Sequence, residues 1–72
     1  MNLLGSPGYS GPVVYEGMDE TLEISGVHPH IYGKKETKPY RKMGHITITG
    51  HDMKNILEKC ERVKNLLHAK TK

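Results

Sequence analysis

Met53, Ile56, Leu57, Cys60, Val63, Leu66 and Leu67 follow Asp52 at three- and four-residue intervals, and no other stretch of this chain constrains its fold as much. That spacing puts all seven on one stripe of an α-helix, with Asp52 placed to cap its start. Lys54, Glu58, Glu61, Arg62, Lys64 and Asn65 fall on the other faces, so the stripe must be laid on a partner layer. The partner has to be small, because the chain has only 72 residues; a domain of this size hides only about 60% of the surface its unfolded chain exposes. Cys60 is the single cysteine, which rules out an internal disulfide or a multi-thiolate zinc site as a staple. On the apolar stripe it reads as a buried structural thiol rather than a nucleophile. The last residues, Lys70 to Lys72, are expected to fray.

The partner layer is legible in pieces. Asn2-Leu3-Leu4 suits a short strand that stops at Gly5, before the breaker-rich run Ser6-Pro7-Gly8-Tyr9-Ser10-Gly11-Pro12. Val13-Val14-Tyr15 suits a strand fragment. Asp19 is placed to cap a helix of about two turns over 19–25, with Met18 and Leu22 packing and Gly26 as its left-handed stop. Val27, Pro29 and Ile31 alternate with His28, His30 and Tyr32, which predicts a strand, and Pro29 assigns it to an edge or a bulge. Met43 to Thr49, β-branched from Ile46 onward, is the clearest strand. Residues 33–42 then join these two strands as a long hairpin loop. The expected class is α+β: a small antiparallel sheet with a short helix and a long C-terminal helix packed on one face.

Charge is concentrated in that loop. Residues 1–33 contain no Lys or Arg and four carboxylates, Glu16, Asp19, Glu20 and Glu23. Residues 34–42 contain five cations, Lys34, Lys35, Lys38, Arg41 and Lys42, against Glu36. A local excess of this kind attracts phosphate, nucleic acid or an acidic surface. Arg offers a planar fork matched to two phosphate oxygens, and Lys a compact charge on a long stem. Gly33 and Gly44 are expected to bare the main chain where a ligand could approach. His28, His30 and His45 allow a three-imidazole metal site, but no Asp, Glu or Cys lies near them in sequence, and hydrogen-bonded or exposed histidines are the favoured reading. No Ser-His-Asp arrangement and no phosphate-cradling glycine loop between strand and helix is present. No apolar run is long enough for a membrane span, and the first residues lack the features of a signal peptide, so a cytoplasmic location is expected.

Asn2-Leu3-Leu4-Gly5, Gly26-Val27-His28, Tyr32-Gly33-Lys34 and Arg41-Lys42-Met43-Gly44-His45-Ile46-Thr47, in this order and spacing, resemble the carboxy-terminal domain of the N5-carboxyaminoimidazole ribonucleotide synthetases, long labelled the ATPase subunit of phosphoribosylaminoimidazole carboxylase. The resemblance implies an ATP-grasp ligase of purine biosynthesis. Such an enzyme uses ATP, magnesium and bicarbonate to make carboxyphosphate and carboxylates the exocyclic amine of 5-aminoimidazole ribonucleotide. Carried onto this chain, the family's ribonucleotide-phosphate contacts are Lys34, Arg41 and Lys42, with His45 orienting the loop and no catalytic or metal-binding residue.

The resemblance further implies that ATP and magnesium bind outside residues 1–72. These residues would be the single C-terminal domain of a larger enzyme, inactive when its N-terminal and ATP-grasp domains are absent. Expected partners are the two substrates, the missing domains and a second copy of the domain, with neither nucleic acid nor membrane among them. The family usually has Arg and Gly just ahead of its Arg-Lys pair, where this chain has Lys38-Pro39-Tyr40; Tyr40 either stiffens the loop or stacks on the ligand. A stand-alone basic module gripping RNA or another polyanion through residues 34–42 is the alternative reading, and its weakness is the shortage of aromatic platforms beyond Tyr32 and Tyr40.

Overall fold

A computed structural model describes residues 1–71. The elements run β1 (Asn2–Leu4), β2 (Gly11–Pro12), β3 (Val14–Glu16), α1 (Met18–Leu22), β4 (Val27–Ile31), β5 (Glu36–Thr37), β6 (Lys42–Ile48), α2 (Met53–Leu66) and β7 (His68–Lys70). Three strands form the main sheet in the order β1-β6-β4, both pairings antiparallel. Two further antiparallel pairs, β2 with β5 and β3 with β7, flank it. The class is α+β, and among the described residues no helix is long and apolar enough to cross a membrane.

Pro29 lies on β4, an edge strand, where its missing N–H costs least. The alternation along β4 holds over its first four residues, with Val27 buried and Pro29 half-buried against exposed His28 and His30, and fails at Ile31, which is exposed. β6 is central and begins with an irregularity. Leu3 is opposite Gly44 but Leu4 is opposite Lys42, so one step along β1 matches two along β6. Met43 is the extra residue. A bulge resets the two-residue alternation, and the burial pattern shows it: Met43, Gly44 and Ile46 are buried, while Lys42, His45 and Thr47 are exposed.

Asp52 caps α2 as its sequence suggests, accepting the Asn55 N–H at 2.8 Å. The helix has 14 residues, about 21 Å at 1.5 Å per residue, and is not the long terminal helix expected. Leu67 is extended, and the chain re-enters the fold as β7 instead of fraying. The reason is packing: Ala69 is fully buried, paired with Tyr15 on β3 and bridged to Gly5. Lys72 lies outside the described residues. Only the C-terminal half of the α2 stripe reaches the core, through Val63 and the following Leu67; Cys60 is half-buried, and Met53 and Leu57 are exposed. The core joins Leu3, Val27, Met43 and Ile46 of the sheet to Ile24, Val63, Leu67 and Ala69.

The first helix departs further from expectation. It spans five residues, starts after Gly17 rather than at Asp19, and leaves Leu22 exposed. Thr21 closes its single turn, its N–H and hydroxyl both donating to the Gly17 carbonyl at 3.0 and 2.8 Å. Asp19 occupies the first turn without capping it.

Candidate functional site

The basic segment is not a free hairpin tip. Beyond β4 the Tyr32 N–H still bonds the Met43 carbonyl at 3.1 Å, after which Gly33, at φ 74°, turns the chain out of the sheet. β5 then ties the loop to β2, and Val13 N–H bonds the Lys35 carbonyl at 3.0 Å. Its far end is fixed to the end of β1, with Gly5 N–H bonding the Arg41 carbonyl at 2.7 Å and Tyr40 N–H bonding the Gly5 carbonyl at 2.8 Å. Binding groups on a loop anchored in this way hold their places better than on a mobile one.

Gly33 lets the chain double back so that the Lys34 side chain crosses to β6. Its ammonium donates to the Lys42 carbonyl at 2.8 Å and stands 5.9 Å above the Tyr32 ring. Lys34 is half-buried, as is Arg41, whose guanidinium makes one long contact, 3.4 Å, to the Glu36 carbonyl. At that distance the bond is weak, which leaves the fork available. Lys42 is exposed, turned by the Met43 bulge to the same side of β6 as His45. The structure thus brings Lys34 to the main chain of Lys42, with Arg41 the next residue along. None of the three is in an ion pair; among the described residues the ion pair present is Lys70 with Glu16.

On the same side, His30 and His45 are opposite each other in register and stack with ring centroids 4.6 Å apart. The Tyr32 hydroxyl lies 3.0 Å from Nδ1 of His45. Neither contact could be read from the sequence, because each depends on the β4–β6 register. His28 is opposite Thr47 instead, and among the described residues no group of three His, Cys, Asp or Glu comes together to hold a metal. Tyr15 on β3, outside this cluster, is held above the ordinary phenol range by burial.

Gly44 corrects the expectation that it bares main chain to a ligand. It is buried, and a Cβ there would strike the His30 carbonyl. The space is occupied by β4. Gly33, by contrast, has open space where a Cβ would be and is required for its backbone angle alone.

Tyr40 adopts φ 64° in a turn closed by Arg41 N–H to the Lys38 carbonyl at 3.1 Å. Proline at the second position and a positive φ at the third define a type II turn, which favours glycine where Tyr40 stands. The left-handed conformation costs an aromatic residue about 1–2 kcal/mol, and Tyr40 is 69% exposed. Tyr40→Gly is therefore expected to stabilise the chain by about 0.5–1 kcal/mol, after the greater backbone freedom of unfolded glycine is allowed for. A melting temperature raised by a few degrees would show it; an unchanged or lowered one would mean that packing of the ring offsets the strain.

Fold and loop together define a small α+β domain that presents unpaired cations at one end of a three-stranded sheet. Residues 1–59 match the family model of the phosphoribosylaminoimidazole carboxylase C-terminal domain, and the chain belongs to that family. The crystal structure of N5-carboxyaminoimidazole ribonucleotide synthetase from Thermotoga maritima superposes on all of this chain with a TM-score of 0.93 and 47% identity, the match covering 20% of that protein. N5-carboxyaminoimidazole ribonucleotide synthase of Aquifex aeolicus is 42% identical over 50 residues, 69% of this chain and 13% of the relative. Phosphoribosylaminoimidazole carboxylase of Schizosaccharomyces pombe is 35% identical over 69 residues, 93% of this chain and 11% of the relative. The chain thus spans a fifth or less of the length of these proteins.

Proposed function

We propose that this chain is the ribonucleotide-phosphate-binding part of an N5-carboxyaminoimidazole ribonucleotide synthetase, an ATP-grasp ligase that carboxylates 5-aminoimidazole ribonucleotide with bicarbonate. Lys34, Arg41 and Lys42 hold the phosphate. The observation that supports this reading is the Lys34 ammonium seated on the Lys42 carbonyl at 2.8 Å, which brings one of the three cations to the main chain of another and leaves its charge outside any ion pair among the described residues. A phosphate dianion facing them can accept from the remaining Lys34 N–H groups, from the Arg41 fork and from Lys42. ATP and magnesium, used by such a ligase, belong to parts of the enzyme outside this chain, and with them the chemical step. Here the contribution is binding and orientation of the acceptor, which lowers the barrier by holding the reacting amine in place.

The test is a titration of the chain with ribose 5-phosphate followed by NMR. Shifts are expected to centre on residues 32–45, and Lys34→Ala, Arg41→Ala and Lys42→Ala should each weaken binding about tenfold, the value of one charge-assisted hydrogen bond. Affinity unchanged in all three variants would reject the assignment.

A further inference from the structure

We propose that His45 and Tyr32 are positioning residues for Lys34, a role that rests on the phosphate reading above. The contacts form a chain. His30 stacks on the His45 ring at 4.6 Å, fixing its plane. With the His45 proton on Nε2, the Tyr32 hydroxyl donates to Nδ1 at 3.0 Å, so the far end of Tyr32 is held to β6. The Tyr32 ring, tilted against His45 at 5.6 Å, lies beneath the Lys34 ammonium at 5.9 Å. A lysine has four rotatable side-chain bonds, and ordering such a side chain costs up to about 2 kcal/mol. The negative ring face below and the Lys42 carbonyl beside it restrict the ammonium to one region before any anion arrives. The anion then meets a cation already in place.

The arrangement also explains why a tyrosine stands immediately before Gly33. The glycine, at φ 74°, folds Lys34 back toward the residue two positions earlier, and that residue must offer a flat face. Phenylalanine could offer the face but not the tether to His45. Because all of these groups are at least partly exposed, each contact is weak; the effect comes from their acting in series on one ammonium.

A double-mutant cycle on ribose 5-phosphate binding to the 72-residue chain separates positioning from a general loss of structure. His45→Ala is expected to weaken binding about three-fold, the scale of an exposed cation–π contact. In a Lys34→Ala background the same substitution should change affinity by less than about 1.5-fold, because the group it positions is gone. His45→Asn, whose amide oxygen can replace Nδ1 as acceptor, should restore affinity to within about two-fold. An equal His45→Ala effect with and without Lys34, or no effect at all, would overturn the proposal while leaving the phosphate site standing. If Lys34→Ala, Arg41→Ala and Lys42→Ala all leave affinity unchanged, the phosphate reading itself fails and the proposal with it.

Discussion

Met43→Ala is expected to remove about 2–5 kcal/mol of stability, the cost of truncating a large side chain in a core that closes only partly over the cavity. Met43 is fully buried and belongs to the core formed with Leu3, Val27, Val63 and Leu67. At roughly 0.05–0.15 kcal/mol per residue, a chain of this length has about 4–11 kcal/mol in total, so the variant would be close to unfolding at room temperature. Urea denaturation should show a lower midpoint with little change in slope. The site should suffer as well. Met43 is the bulged residue that turns Lys42 to the outer side of β6, and its burial adds to the main-chain bonds that hold the bulge in this register. Ribose 5-phosphate binding measured well below the denaturation midpoint should therefore weaken by more than the unfolded fraction explains. A loss under 1 kcal/mol would show that the core closes over the space Met43 leaves.

The same bulge marks where the sequence stops being informative. Period-two patterning marks β4, and β-branched residues from Ile46 onward make the centre of β6 plain. A bulge leaves no such mark, because Met43-Gly44 reads equally well as regular strand. Its consequence, the placement of Lys42 on the same side of β6 as His45, appears only in the structure. The helices divide in the same way. Asp52 and the stripe behind it identified α2, yet its length was overestimated, because Leu67 suits the last turn of a helix as well as the extended cap that leads into β7. Nothing in His68-Ala69-Lys70 signals a strand; it is one because β3 offers an open edge and Ala69 fits against Gly5. For α1, Asp19 has the chemistry of a cap, but Gly17 and Thr21 together close an α-helical turn that starts two residues earlier.

At the site, the cations themselves are legible, since a charge block of that density stands out in the distribution of charge along the chain. Their mutual arrangement was not. Lys34 and Lys42 are eight residues apart, and their meeting depends on the left-handed turn at Gly33, which the sequence permits, and on the side chain doubling back, which it does not specify. The Tyr32–His45 contact is of the same kind: both residues belong to the motifs that carry the family resemblance, but their hydrogen bond exists only through a strand register that places Ile31 opposite Gly44. Tyr40 is the reverse case, a residue whose strain is invisible until the backbone angle is known.

Gly44→Ala should be about as damaging as the loss of Met43, for the opposite reason. Gly44 sits in the central strand between Leu3 and Ile31, and an added methyl would meet the His30 carbonyl, a main-chain group that cannot rotate away. Relief requires β4 and β6 to separate, which breaks their hydrogen-bonded ladder. Overpacking costs typically 1–3 kcal/mol, and a clash with rigid backbone belongs at the upper end. A loss of about 3 kcal/mol corresponds to a melting temperature lower by roughly 12–24 °C in a domain of this size. Separation of the strands also pulls His30 from His45 and takes Tyr32 out of reach of Nδ1, so phosphate affinity should fall together with stability. Gly33→Ala provides the contrast. Its methyl would enter open space, and the cost is that of the left-handed backbone angle alone, about 1–2 kcal/mol. If both substitutions prove equally mild, β4 and β6 must be able to part without loss, and the close approach at Gly44 is not what holds the two halves of the site together.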